Sequence, residues 1–167
     1  MLFRSGWSKR KQTMFQHVEA TASDRAHWIS TNLYYHKRDV AYLNFILSKD
    51  CSVLDIGCGN GWLLSQLNAR LKCGIDLSPS MVDVANETYP EATFIQADIE
   101  VRSDLKKIRH HGPFDYIILS DTLAFLDDIE MGLSHVRQLC SPSTRVILSL
   151  YNQLWEPVLK FGELIGR

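Results

Sequence analysis

Charge of one sign is not in excess in this sequence: 18 Lys and Arg stand against 19 Asp and Glu, a net charge of -1. Such a chain has no global positive field to neutralise phosphates, so a nucleic-acid partner is not expected. Long hydrophobic runs are missing too. None approaches the roughly 18 residues of a membrane span, and Met1 to Arg10 lacks the apolar stretch of a secretory leader. The reading is a cytoplasmic protein with no membrane partner. Cysteine is sparse: Cys51, Cys58, Cys73 and Cys140 form no CxxC pair and no Cys/His run with zinc spacing, so buried free thiols are expected and a metal site is not. No internal repeat, low-complexity tract or linker breaks the chain. With 46% apolar residues over 167 positions, one domain with a single core is the expectation.

From Val53 onward, short β-rich runs alternate with helix-period runs, the pattern of βαβ units and a doubly wound, mostly parallel α/β sheet. Strands are predicted at Ser52 to Ile56, Lys72 to Ile75, Thr93 to Gln96, Tyr116 to Ser120 and Arg145 to Leu150. Helices are predicted at Trp62 to Arg70, Pro79 to Thr88, Ser103 to His110 and Asp128 to Cys140. In the last of these, Ile129, Leu133, Val136 and Cys140 form one stripe facing the sheet. Ahead of the first strand, Ala26 to Leu47 is helical in pattern, with Tyr42, Phe45 and Ile46 in the core and Tyr34, Tyr35 and His36 near its start. The basic knot Lys9, Arg10, Lys11 reads as a solvated face. Beyond the fifth strand, Leu154, Val158, Phe161 and Ile165 give another helical stripe. Val146, Ile147, Leu148 and Leu150 would leave the fifth strand as an apolar edge, suited to self-association or to a further domain of a longer chain.

Three segments carry chemistry. In Val53-Leu54-Asp55-Ile56-Gly57-Cys58-Gly59-Asn60-Gly61 a strand runs into alternate glycines, which permit positive φ and let a ligand lie against bare backbone. The spacing is G-x-G-x-G, not the dinucleotide G-x-G-x-x-G, and Asp55 would repel a pyrophosphate but suit a cationic ligand. In Gly74-Ile75-Asp76-Leu77-Ser78-Pro79-Ser80-Met81, Asp76 ends the second strand, where its two acceptor oxygens can take both hydroxyls of a ribose. Ser78 and Pro79 read as an N-cap and first-turn pair that projects Met81 over the crevice, as adenine cover or as core filler. In Phe94-Ile95-Gln96-Ala97-Asp98-Ile99, Asp98 can accept from an exocyclic amine and the Ile99 N–H can donate to a ring nitrogen. Three acids thus open on one carboxyl-end crevice.

Together these motifs resemble the class I, Rossmann-like, S-adenosyl-L-methionine-dependent methyltransferases, over roughly Tyr34 to Leu150. The resemblance implies strand order 3-2-1-4-5 without the last two strands of the usual seven. Residues 1–32 would be an N-terminal helical extension, and 33–167 a C-terminally truncated cofactor domain. It implies that Gly57, Cys58 and Gly59 lie along the methionine part, with Asp55 near its ammonium. Asp76 would hold the ribose and Met81, Asp98 and Ile99 would enclose the adenine, with Leu77 a further cofactor-binding residue and Ser120 backbone beneath the methyl group. The product would be S-adenosyl-L-homocysteine. A shorter likeness, in Ser120 to Asp128 and Tyr151 to Leu159, is to methyltransferase domains that precede a glycosyltransferase domain in some bacterial proteins, which implies a sugar-related or other small-molecule acceptor. No Asn/Asp-Pro-Pro-aromatic motif of DNA-amino methyltransferases follows the fourth strand. His36 and Asp121 are the candidate bases should the acceptor be a hydroxyl. Two alternatives stay open: a non-catalytic module that only holds the cofactor or its product, and a nicotinamide-dependent oxidoreductase, which the glycine spacing disfavours.

Overall fold

The computed structural model describes residues 6–31 and 33–150; the expectations for Tyr151 onward lie outside it. Five parallel strands, β1 (Ser52–Ile56), β2 (Leu71–Asp76), β3 (Thr93–Gln96), β4 (Tyr116–Ser120) and β5 (Arg145–Ser149), form one sheet in the order β3-β2-β1-β4-β5. The central strands carry near-continuous apolar runs because both sheet faces are covered. On one face Leu54, Ile56, Cys73, Ile75, Ile117 and Leu119 meet α6 (Leu105–Arg109) and α7 (Ile129–Leu139). On the other, Val53, Tyr116 and Ile118 meet α3 (Leu33–Ile46), α4 (Trp62–Ser65) and α5 (Pro79–Thr88). All four cysteines are free thiols, three of them buried. No helix among the described residues is long and apolar enough to cross a membrane.

The strands fall within a residue of their predicted limits; the helices show where local pattern misleads. The helix expected at Trp62 to Arg70 stops at Ser65. Asn44 of α3 takes over there, donating to the Gln66 carbonyl at 3.1 Å and accepting from the Asn68 N–H at 2.7 Å. In α3 itself the buried face is Leu43 and Leu47, while Tyr42 and Phe45, predicted in the core, are 65% and 86% exposed. Ile129 of α7 is exposed as well; Gly132, His135, Val136 and Leu139 make the buried face. His135 can face inward because its Nδ1 lies 2.7 Å from the Ile99 carbonyl oxygen.

Ahead of the sheet, α1 (Lys9–Ala20) leads through a 3₁₀ turn at Ala22–Asp24 into α2 (Arg25–Thr31). The Ser8 side chain caps α1 by accepting from the Lys11 N–H at 3.0 Å. The basic knot is not a solvated face: Lys9 is exposed, but Lys11 is only 3% exposed. It lies between two carboxylates, which offset the cost of burying its charge. The sheet order reverses beside β1, so the loops after β1 and β4 flank one crevice at the carboxyl edge, where ligands bind in open α/β sheets.

Candidate functional site

That crevice holds two cavities, of about 350 and about 100 Å³. Gly57, Gly59, Arg25, Ser120 and Asp121 line both, so they adjoin. Leu77, Met81, Asp98 and Ile99 line the larger one; Asp55, Cys58 and His36 line the smaller. The structure therefore gathers all of the sequence-predicted residues along one crevice, at the size expected for a small-molecule site.

Two glycines of the loop have different jobs. Gly57 sits at φ +80°, and a Cβ there would lie 2.4 Å from Thr122 Oγ1. Thr122 cannot withdraw cheaply, because its hydroxyl donates to the Ile56 carbonyl at 2.7 Å. Gly59 sits at φ +53°, and a Cβ would meet nothing within 4 Å, only the space of the cavity. Gly59→Ala should therefore cost about 1–2 kcal/mol of stability for the left-handed backbone. The larger effect should be on a ligand lying against that backbone, with at least about tenfold weaker binding, read by calorimetry alongside a thermal melt.

Asp76 organises the loop. Its Oδ2 accepts from the Gly59 N–H at 2.8 Å and its Oδ1 from the Ser78 N–H at 2.8 Å, which leaves one lone pair on each oxygen for a diol. Burial raises its pKa, although the backbone donors from Ser78 and Gly59 oppose the rise. Ser78 caps α5, with the Met81 N–H donating to its hydroxyl at 3.0 Å and Pro79 in the first turn. Asp55 is 2% exposed and its Oδ1 has no hydrogen-bond partner. Desolvation, with the nearby Asp76 charge, pushes its pKa up to about 7. The thiol of Cys58 is raised well above its ordinary value by burial, so that residue contributes backbone rather than a charge.

Asp98 departs from expectation. Its Oδ1 accepts from Lys11 Nζ at 3.1 Å and from the Glu100 N–H at 3.0 Å; its Oδ2 accepts from Lys11 Nζ at 2.9 Å and from Trp7 Nε1 at 3.0 Å. Its lone pairs are filled by protein donors, so it anchors α1 where a nucleobase amine was predicted to bind. The Ile99 N–H has no partner among the described residues and stays available to a ring nitrogen. Lys11 also pairs with Glu100. Further ties hold α1 down. Glu19 accepts from the hydroxyls of Ser78 and Ser80, and Arg10 donates to the Ala124 and Leu126 carbonyls. Met14, Phe15 and Val18 of α1 consequently roof the larger cavity. Sequence reasoning set these residues outside the site. The signal that could have found them is the i, i+4, i+7 set Lys11, Phe15, Val18, an inward stripe disguised by one charge.

At the other end, His36 stands between two rings, Trp28 at 5.1 Å and Trp62 at 5.7 Å, both edge-on. Burial first, then the charge of Arg25, lowers its pKa. Asp121 adopts φ +54° and buries an Oδ1 with no hydrogen-bond partner. Ser120 contributes backbone, its carbonyl accepting from the Thr122 hydroxyl at 3.0 Å. The crevice thus offers an apolar roofed half and an acid-lined half, joined by open backbone.

Known proteins share both the sequence and this architecture. The chain is 28% identical over 109 residues to the trans-aconitate 2-methyltransferase of Escherichia coli, covering 63% of this chain and 41% of that one. It is 29% identical over 110 residues to the malonyl-[acyl-carrier protein] O-methyltransferase of Halalkalibacterium halodurans, covering 60% and 39%. It thus spans about two fifths of the length of these relatives. Among solved structures, the fold matches the magnesium protoporphyrin IX methyltransferase of Synechocystis with bound S-adenosylmethionine, with a TM-score of 0.64 at 20% identity over 90% of this chain and 84% of that one. It also matches the N-methyltransferase NodS of Bradyrhizobium japonicum in complex with S-adenosylhomocysteine, with a TM-score of 0.66 at 17% identity over 80% and 71%. Residues 53–143, more than half of the chain and all of the strand-end acids, match the family described as "Methyltransferase domain": the protein belongs to that family.

Proposed function

We propose that this domain binds S-adenosylmethionine and directs its methyl group to a small-molecule acceptor. The observation that carries the proposal is the buried Asp55 carboxyl, whose Oδ1 lacks a partner beside a glycine backbone open to the cavity. A cation without phosphates satisfies that arrangement; a pyrophosphate does not. The residues fit the group along its length. Asp55 would face the ammonium, Gly57 to Gly59 the chain, Asp76 the ribose diol, and Leu77, Met81 and Ile99 the adenine. Bound there, the cofactor supplies a methyl group activated by a sulfonium leaving group. The chain's own residues align and dry the site, and alignment for an in-line displacement is worth several kcal/mol of the barrier. Met14, Phe15 and Val18 exclude water from one side. For a hydroxyl acceptor, the lowered pKa of His36 favours the neutral form that can receive a proton, and Asp121 shares its cavity.

The relatives named above act on malonyl-acyl-carrier protein and on trans-aconitate, which supports a small organic acceptor group over a polymer; a sugar-related acceptor stays within that class. Calorimetric titration tests the cofactor reading. S-adenosylhomocysteine should bind and NAD should not, and Asp76→Ala should lose most of the affinity, about 100-fold for two hydrogen bonds to a charged acceptor. Unchanged binding by Asp76→Ala would count against the assignment. Methyl transfer to any member of an acceptor panel would exclude a purely ligand-holding module.

A further inference from the structure

The carboxylate just past β3 fixes what the larger cavity can read of a nucleobase. Asp98 has roughly four lone-pair positions on its two oxygens, and as many donor contacts fill them. Lys11 Nζ reaches both oxygens, the Glu100 N–H takes Oδ1 and Trp7 Nε1 takes Oδ2, at 2.9–3.1 Å. Lys11 has nothing to spare in turn, since its remaining N–H goes to Glu100. Acid and base satisfy each other at 3% exposure each. Both line the cavity, yet together they present it with neither an acceptor nor a donor.

What remains for a base is one backbone donor. Of the N–H groups from Ala97 to Val101, all but one are taken. Ala97 donates to the Asp76 carbonyl, Asp98 to the Asp104 carboxylate, Glu100 to the Asp98 side chain and Val101 to the Asp98 carbonyl. The Ile99 N–H is left over among the described residues, and Ile99 lines the larger cavity. The far side of that residue is fixed, because His135 of α7 donates from Nδ1 to the Ile99 carbonyl at 2.7 Å. A fixed N–H suits an unprotonated ring nitrogen, and Phe15 and Met81 suit the apolar faces of a purine. An exocyclic amine would need an acceptor instead, and the one at the strand end is full.

We infer that this pocket selects its purine by a ring nitrogen at Ile99 and does not read the 6-amino group, because Lys11 and Trp7 keep Asp98 for themselves. Cofactor analogues that carry hydrogen in place of that amine are therefore ligands too. The inference rests on the S-adenosylmethionine reading above and narrows it to which atoms of the base are recognised. An amine set against a filled acceptor gives up its hydrogen bonds to water without replacement, so its removal costs no affinity.

The test is calorimetric titration of the wild type and Asp98→Asn with S-adenosylhomocysteine and its 6-deamino analogue, in which hydrogen replaces the amine. A hydrogen bond to a charged acceptor is worth about 10- to 100-fold in affinity; without one, the wild type should bind the analogue no more than about threefold more weakly than the parent. Asp98→Asn loosens α1 rather than a ligand contact, so it should weaken both ligands alike and leave their ratio within about twofold. S-inosylhomocysteine, whose ring nitrogen beside the altered position carries a proton and cannot accept from Ile99, should bind at least about tenfold more weakly than either. A larger loss on removing the amine, or a ratio that Asp98→Asn changes, would mean that the base displaces Lys11 or Trp7 and takes the acid, which overturns the inference. Equal binding of the inosine compound would overturn it too. Should Asp98→Asn fail to fold, the wild-type comparison decides alone. Wild-type protein that binds none of the three would instead remove the cofactor reading beneath it.

Discussion

Lys11→Met should lower the unfolding free energy by about 3–5 kcal/mol, the usual cost of removing one partner from a buried ion pair. Lys11 is 3% exposed, and its ammonium bonds to both Asp98 and Glu100, which are 3% and 8% exposed. Methionine fills much the same volume, so the loss is one of charge rather than of packing. What remains is two carboxylates close together without a cation. The variant should therefore shed α1 before the sheet melts, and hydrogen exchange should show the amides of Lys9–Ala20 losing protection ahead of the β-strands. Lys11→Met combined with Glu100→Gln should recover part of the loss, because the two residues share one network. A single variant within about 1 kcal/mol of wild type by denaturant titration would mean that Trp7, Glu19 and Arg10 hold the helix without the charge.

The same helix marks where the sequence stopped being legible. Strand limits came out because each strand is a short β-branched run bounded by glycine or polar residues, a signal contained within about ten positions. Ser52–Ile56, Thr93–Gln96 and Tyr116–Ser120 matched at both ends. Topology alone puts Asp55, Asp76 and Asp98 on one crevice, since each lies at or just beyond the carboxyl end of a neighbouring parallel strand. In contrast, the partners of Lys11 lie 87 and 89 positions away, and no local pattern encodes a contact of that separation. The buried face of α3 failed for a different reason. Tyr34, Tyr42 and Phe45 lie on one side and Leu43 and Leu47 on the other, so both sides are apolar and periodicity has nothing to choose between them. A single arginine ahead of the sheet, Arg25, reads as surface until the fold brings it to the cavities that Gly57 and Gly59 also line.

Asp55→Asn should make the ligand-free protein more stable at pH 8 while weakening cofactor binding. In the wild type the Asp55 pKa rises from 3.8 to about 7, chiefly through burial and secondarily through Asp76. A carboxyl with its folded pKa above its unfolded one favours the native state at low pH. That contribution is full below pH 4 and is lost as pH rises through 7, because over this window the folded chain binds more protons than the unfolded. At 1.36 kcal/mol per unit the whole excursion amounts to about 4 kcal/mol. Asparagine does not titrate, so the difference between wild-type and Asp55→Asn stability should open across this window. Asp39, Asp76 and His36 also titrate near the site, but they are common to both proteins and largely cancel in the difference. An ammonium placed against Asp55 reverses the preference by favouring the carboxylate. S-adenosylhomocysteine should therefore bind more tightly as pH rises toward 7 and release up to one proton on binding near pH 6, measurable by calorimetry in buffers of different ionisation enthalpy. Parallel melting curves for the two proteins from pH 4 to 8, or binding without proton release, would show that the buried acid does not sense the ligand's charge. On the expected outcome, an acid kept costly in the empty pocket is what makes the pocket select a cation.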